Sequence, residues 1–430
     1  GKAVPAKGVC TDVFFDYAKR FITKVKDSDK PFFVYLCTNA PHGPMHAPEK
    51  YAKPYANQGV NVATFLGMIA NIDDNVGAMR AFLKKEGLAE NTIFIFTTDN
   101  GTSSGANIHN NGMRGRKGSE YDGGHRVPFF IHWPKGGLTG GRDVDMITSY
   151  VDVVPTLIDY CDVPSPKGVK FDGVNIRSLI EGKAKNWPDR ILVTDSQRVR
   201  DPIKWRKSSV MTDQWRLVNG KELYDINTDP GQKKNIASAN LAVVKRLTKF
   251  YDAWWEDVYQ STKKKYEIII GSDKENPSFI TSHDLHGGAV WNHDQVLAGK
   301  KCGGYWELFV EIDGMYEISL RRWPREFNFP ITSQPQVPMD LKDFFYSSSR
   351  LSYAAANEKS KKISATQAQI NIAGQHLVKH IPDNILGNAG LDYEVTGEGE
   401  VTAVNFRLSL KRGSTKLSAW FVNGRDVGDI

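Results

Sequence analysis

The stretch FIFTTDNGTSSG, Phe94 to Gly105, decides the reading of the fold. An apolar run with the character of a buried strand stops at Thr97, Thr98, Asp99 and Asn100, and a flexible Gly/Ser loop follows. In a parallel α/β sheet, ligands bind outside the carboxyl ends of the strands. A carboxylate and a carboxamide at such an end are candidates for holding a hard cation, Ca²⁺ or Mg²⁺, through oxygen. The same residues suit an Asx-turn, in which Asn-Gly only turns the chain. Asn100-Gly101-Thr102 is also a glycosylation sequon, and a glycan on Asn100 would exclude metal ligation. On these residues alone the three readings stand open.

Working outward, Val13, Phe14, Tyr17, Ala18, Phe21, Ile22 and Val25 recur at helical spacing between Asp12 and Lys26. PFFVYLCT, Pro31 to Thr38, has the composition of a compact buried strand. Val62 to Gly87 reads as a long helix with Gly87 at its C-cap. VPFFIHWP (Val127–Pro134) and the helix-like SYVDVVPTLIDYC (Ser149–Cys161) continue the alternation. Helices alternating with all-apolar strands predict a parallel sheet covered on both faces. Around Trp187 the rhythm changes. RILVTDSQ, SSVMTDQWRLV and KELYDI are short runs with polar interruptions, as in an antiparallel sheet, and a helix follows over Leu241–Val258. Beyond STKKK, Ser261 to Lys265, come only short strand-like runs divided by Gly, Asp and Asn turns, the pattern of a β-sandwich.

The chain has 430 residues, of which 40% are hydrophobic and 24% charged, the profile of a globular protein large enough for two or three domains. No apolar run approaches the roughly 18 residues of a membrane helix. A formal net charge of +7 would draw in an anionic substrate but is no nucleic-acid footprint. Cys10, Cys37, Cys161 and Cys302 form neither a CxxC pair nor a zinc spacing. No signal peptide is visible at the start of the sequence.

Two further segments carry chemistry. GMRGRKGSEYDGGHRVP, Gly112 to Pro128, sets Arg114, Arg116, Lys117 and Arg126 among glycines just before a strand-like run. Glycine admits close backbone approach, and lysine is a natural point charge for a tetrahedral oxyanion; a solvated basic loop is the competing reading. NAPHGP puts His42 between Pro41 and Pro44 at the end of another such run, a position fit for a general acid or for a merely structural histidine. Near the C-terminus, SHDLHGGAVWNHDQ gathers His283, His286, His293, Asp284 and Asp294, read as a polar loop ahead of a metal site. Trp291, Trp306, Trp323 and Trp420 read as core ahead of a sugar-stacking platform.

PFFVYLCTNAPHGP, NIDDNVGAMRAFLKKEGLAENTIFIFTTDNG, MRGRKGSEYDGGHRVP and WRLVNGKELYDINTDPGQKKNIA, in this order, resemble the sulfatase family of the alkaline-phosphatase superfamily. The resemblance runs from about Gly8 to Val258. It implies that Asp99 and Asn100 are two ligands of a Ca²⁺ ion, that Lys117 contacts the sulfate with Arg114 in the substrate site, and that His42 assists the leaving alcohol. It also implies a periplasmic or extracellular location. Members of this family use a formylglycine nucleophile made within a C/S-x-P-x-R motif, and no cysteine or serine here fits that motif. The family's early Asp-Asp metal pair is also absent. Asp73 and Asp74 cannot replace it, because adjacent helical residues point about 100° apart. Asp122 stands where members commonly carry Glu.

The expectation is therefore an α/β, alkaline-phosphatase-like, mostly parallel sheet sandwiched by helices over 1–187, incomplete at the N-terminus. A small α+β C-terminal subdomain follows over 188–260, then an accessory all-β sandwich over 266–430. The expected function is hydrolysis of a sulfated carbohydrate or aryl sulfate with Ca²⁺, the formylglycine being supplied by a missing N-terminal segment, so that this chain alone is inactive. Neither nucleic acid nor membrane is an expected partner. The alternatives are a superfamily phosphodiesterase or phosphomutase with two metals, for which only His125 and His132 lie near the motif loop, and a non-catalytic glycan-binding protein.

Overall fold

The computed structural model describes residues 6–43, 45–199, 201–264, 266–288, 290, 293–335, 344–346, 360–387 and 389–424. Residues Gly8–Lys264 form one compact unit, and a second is built from the chain that follows.

In the first unit, helix α1 (Cys10–Val25) buries Phe15, Ala18 and Ile22, the i, i+3, i+7 stripe of an amphipathic helix. These meet Met79 and Leu83 of α2 (Val60–Lys85). Asn71 and Asn75 of α2 donate to Asp12 Oδ1 at 2.8 and 2.7 Å, a polar clasp at the start of α1. The helix α2 stops where the sequence predicts. Gly87 takes φ +71°, and its N–H returns to Lys84 O at 3.1 Å.

The run Pro31–Thr38 departs from expectation. Phe32, Val34 and Leu36 pack on the α1–α2 cluster, whereas Phe33 and Tyr35 are 76% and 82% exposed. That two-residue alternation is the signature of a strand. Among the described residues, however, no neighbour completes a ladder with it, and it is extended chain without strand pairing. The expected parallel sheet is corrected in the same region. Strand β1 (Phe94–Thr97) pairs antiparallel with β2 (Phe129–His132), from Phe94↔His132 to Thr97↔Phe129. The connection between them is a Gly-rich excursion with one short helix, α3 (Asp122–His125), and not the crossover helix that a parallel pair requires. Helix α4 (Val153–Tyr160) follows a turn in which Ser149 and Asp152 cap each other. Asp152 is fully buried and accepts both arms of the Arg190 fork at 2.9 and 2.8 Å.

Strands β3 (Leu192–Asp195), β4 (Ser208–Met211), β5 (Trp215–Val218) and β6 (Glu222–Asp225) form an antiparallel sheet in sequential order. Helix α5 (Leu241–Thr262) lays Leu247, Tyr251 and Trp255 on Val210, Leu217 and Leu223 of this sheet. Tyr251 stacks on Trp205 with centroids 3.7 Å apart and donates to Asp195 Oδ2 at 2.9 Å, so its one polar atom is satisfied in the core.

In the second unit, β7 (Ile268–Ile270), β8 (Trp306–Val310), β10 (Gln367–Ile372), β11 (Gln375–His380) and β14 (Gly413–Val422) form a sheet of order β11-β10-β14-β8-β7, with β7–β8 parallel. A second sheet has the order β9-β13-β12, from β9 (Gly314–Leu320), β12 (Tyr393–Val395) and β13 (Val401–Leu410). Leu308, Ile370, Leu417 and Phe421 of the first share one apolar cluster with Val404, Phe406 and Leu408 of the second. Trp323 is buried; Trp306 and Trp420 are half-buried. Trp291 lies outside the described residues, as do the side chains of His293 and Asp294. Asp284 caps Thr281, and His286 stacks on Tyr305, so both serve local structure.

Arg322 braces this unit. Its guanidinium donates to the carbonyls of Val296, Leu297, Ile331, Ser333 and Lys361 at 2.9–3.4 Å. Burial pushes it down to about 10. Truncation to alanine strands several carbonyls at once. Arg322→Ala should lower the unfolding free energy of this unit by about 3 kcal/mol in urea titrations, and a loss under about 0.5 kcal/mol would contradict the brace.

Candidate functional site

The site begins where β1 ends. Thr97 Oγ1 donates to Pro128 O at 2.9 Å and lies 2.9 Å from the Tyr150 hydroxyl, which itself donates to Thr98 O. Tyr150 sits inside the Ser149–Asp152 capping turn, so the strand end is pinned by a ring whose own backbone is fixed. Asp99 is exposed and Asn100 half-buried. Asn100 Nδ2 donates to Asp99 Oδ2 at 2.5 Å, which sets the two oxygen-bearing side chains against each other. The Tyr35 phenol is raised, first by its hydrogen bond with Cys37, and more weakly by Tyr150 and Asp99, so the extended 31–38 run reaches the same strand end.

Next to this end runs the basic loop. Gly101 N donates to Gly124 O, and Lys117 N to Thr102 O, each at 3.0 Å. This backbone seam requires Gly101, because a Cβ there would stand 2.0 Å from Gly123 O. Asn110 Nδ2 closes the loop on itself through Met113 O and Gly115 O, both at 2.8 Å. Lys117 is half-buried, and among the described residues its ammonium makes no ion pair or hydrogen bond.

The far side of the loop is docked on the antiparallel sheet. Asp122 and Arg216 form an ion pair with side chains 1% and 7% exposed, Nε to Oδ1 at 3.0 Å. Arg216 also donates to Trp215 O at 3.0 Å and to Thr212 O. Burial lowers the Arg216 guanidinium while Asp122 raises it. Removing either partner leaves a buried charge alone, at a cost of about 3–5 kcal/mol. Gln232 Oε1 accepts from Asp122 N at 2.9 Å, and Asn219 and Lys207 reach Glu120 and Gly118 O. Glu222 accepts from Tyr121 and Tyr224 at 2.9 and 2.5 Å. Both phenols are pushed up to about 12, by burial first and then by Glu222.

The structure thus joins the Lys117 backbone to Thr102, two residues after Asn100. Arg114 turns away from this seam: its Nη1 donates to Tyr224 OH and Gln232 O, each at 2.9 Å, and its guanidinium lies 3.8 Å over the Tyr121 ring. His42 is exposed, with Nδ1 2.7 Å from Gly43 O. That contact puts a proton on Nδ1 and leaves Nε2 open. Pro44 beside it lies outside the described residues. Its loop approaches the seam through Met45, whose sulfur accepts from Ser104 Oγ at 3.7 Å, and both loops rest on α2 through Ala47 and Gly105. Nor do His132 and His125 gather at Asp99. His132 pairs with Phe94 at the opposite end of β1, and His125 lies by Glu120 O, within the field of Asp122 and Arg216. An apolar groove of about 610 Å³ along α1, lined by Phe14, Tyr17, Phe21 and Phe33–Cys37, includes none of the expected site residues except by adjacency in sequence.

A cation of the Ca²⁺ type takes about 6–8 oxygens. Asp99 and Asn100 offer the right atoms and part of that number. Among the described residues no group of three or more His, Cys, Asp or Glu is arranged to hold a metal ion. The sequence pointed to Lys117, Asp99 and Asn100. It gave no signal for Tyr150, Arg216 or Glu222, whose partners lie 53, 94 and 101 residues away.

Residues 2–163 match the family model described as Sulfatase, and residues 116–253 match N-sulphoglucosamine sulphohydrolase, C-terminal. The chain belongs to the sulfatase family. It is 35% identical to the uncharacterized sulfatase YdeN of Escherichia coli over 62% of this chain and 54% of that protein. It is 28% identical to an arylsulfatase of Clostridium perfringens over 50% and 51%. Among solved structures, Ps i-CgsB in complex with k-i-k-neocarrahexaose superposes with a TM-score of 0.54 at 27% identity, covering 59% of this chain and 56% of that one. The chain spans about half the length of the curated relatives it matches.

His125 supplies a pH test of the docked loop. Burial lowers it from 6.5, Asp122 raises it and Arg216 lowers it further. A depressed folded value means that the unfolded chain binds the proton first. Its contribution is complete above the unfolded value and is lost as pH falls through the folded one. His125→Gln should therefore flatten the fall in stability between about pH 7 and pH 5, followed by urea midpoints. An unchanged slope would contradict a buried neutral ring.

Proposed function

We propose that this chain carries the sulfate-holding part of a sulfuric ester hydrolase acting on a sulfated carbohydrate or aryl sulfate outside the cytoplasm, in the periplasm or beyond the cell. The observation that carries the reading is Lys117: half-buried, without a counter-charge among the described residues, and stitched to Thr102 beside Asp99 and Asn100. A half-buried lysine whose ammonium has no partner among the described residues is a natural point charge for a bound anion. The names of the related arylsulfatase and of an N-acetylgalactosamine-6-O-sulfatase, and the carrageenan-type oligosaccharide in the Ps i-CgsB complex, support sulfate esters of sugars as the class.

In this reading Lys117 Nζ holds a sulfate oxygen, and a His42 imidazolium, keeping its Nδ1 proton on Gly43 O, gives its Nε2 proton to the departing alcohol oxygen. Asp99 and Asn100 would contribute two ligands to a Ca²⁺ ion, which would neutralise sulfate charge; the Asn100 amide, whose Nδ2 now donates to Asp99, would have to turn its Oδ1 outward. Arg114 holds the loop from behind. A formylglycine would supply the nucleophile. The unit after Lys264 is an accessory β-sandwich. The two-metal phosphoesterase alternative has less support, since neither His125 nor His132 is turned to the seam.

Sulfate titration tests the anion seat. Lys117→Ala should weaken sulfate about tenfold or more, while exposed Arg116→Ala changes it less than about threefold. Equal losses would point to diffuse attraction by a basic loop. A second outcome concerns turnover. These 430 residues contain no C/S-x-P-x-R motif, and the chain by itself should release no sulfate from an aryl sulfate in repeated cycles. Turnover that vanishes with Lys117→Ala would reveal a nucleophile within these residues and overturn that expectation.

A further inference from the structure

The loop that carries Lys117 has almost no apolar anchor. Asn111, Gly112, Arg114 and Arg116 are exposed, and the contacts that locate the loop are directional and polar. We propose that Arg216 is a positioning residue for the anion seat at Lys117, acting through Asp122; the inference rests on the reading of Lys117 given above.

The links are continuous. Arg216 is fixed within its own strand region by the carbonyls of Trp215 and Thr212, and its Nε fixes Asp122 Oδ1 at 3.0 Å. Gly123 follows directly, and its N–H donates to Arg114 O at 2.8 Å, three residues before Lys117. Gly124 comes next, and its carbonyl accepts from Gly101 N at 3.0 Å, one residue after Asn100. Asp122 therefore controls both walls of the seam. The glycines leave no room to slip, since a Cβ on Gly123 would stand 2.5 Å from Gly115 O. A buried ion pair rarely adds net stability over an apolar pair of equal volume. What Asp122 and Arg216 supply that such a pair would not is direction.

The experiment compares wild type, Arg216→Lys, the neutral pair Asp122→Asn with Arg216→Met, Lys117→Ala, and the pair combined with Lys117→Ala. Sulfate affinity is read by calorimetry, and amide exchange is read in peptides covering 112–126 and β3–β6. The neutral pair removes both charges together, so neither is left buried alone. We expect it to lose about tenfold in sulfate affinity and to lose nothing further in the Lys117→Ala background. Exchange should quicken in 112–126 and stay unchanged in β3–β6. Arg216→Lys keeps the charge without the fork and should fall between, which keeps the inference testable if the neutral pair misfolds. Unchanged affinity and exchange in the neutral pair, or equal losses with and without Lys117, would overturn the inference while leaving the anion seat intact. Wild-type protein that binds no sulfate would overturn the anion reading itself, and this inference with it.

Discussion

The buried pair between Asp122 and Arg216 is the contact on which the arrangement of the first unit depends. It joins residues 94 positions apart, one in a Gly-rich loop and the other in an antiparallel sheet. Around it, Gln232, Asn219, Lys207 and the Tyr121–Glu222–Tyr224 group satisfy the loop's polar atoms from the sheet side. A buried polar interface is costly when half-made and specific when complete. The number and direction of these contacts explain how a loop without an apolar core of its own can hold one conformation, although Gln232 Nε2 is buried there without a hydrogen-bond partner among the described residues.

That conformation has a chemical consequence. The seam between Gly101–Thr102 and the loop is made by backbone groups, so it uses no side-chain charge. Arg114, the cation best placed to be mistaken for a ligand contact, is consumed by Tyr224, Gln232 and the Tyr121 face. Lys117 is left without an ion pair among the described residues, and Asp99 is left exposed beside Asn100.

The parts legible in the sequence were those with a local signal. The α2 helix and its Gly87 stop, the short strands β3–β6 and helix α5 follow from periodicity and turn residues, and the Asp99-Asn100 strand end was readable for the same reason. What failed was pairing. An all-apolar strand such as Phe94–Thr97 looks the same whether its neighbour runs parallel or antiparallel, and only the path of the connection decides. The run 31–38 shows the reverse case, with the alternation of a strand and no ladder among the described residues. The contacts of Arg114 with Tyr224, Gln232 and Tyr121 were not legible, because a cation in a basic loop does not reveal which face it serves. Arg216 was invisible because its partner is remote in sequence and because a strand arginine ordinarily points to solvent.

The central claim is that Lys117 and the Asp99–Asn100 strand end grip one tetrahedral anion and its cation. Crystals of this chain grown with selenate and Ca²⁺, with anomalous data at the selenium edge, test it directly. The account predicts a selenium peak whose oxygens lie about 2.7–3.2 Å from Lys117 Nζ, with Asp99 on the cation side of that anion. A selenate bound elsewhere, with Lys117 Nζ paired to a carboxylate of the protein, would contradict it.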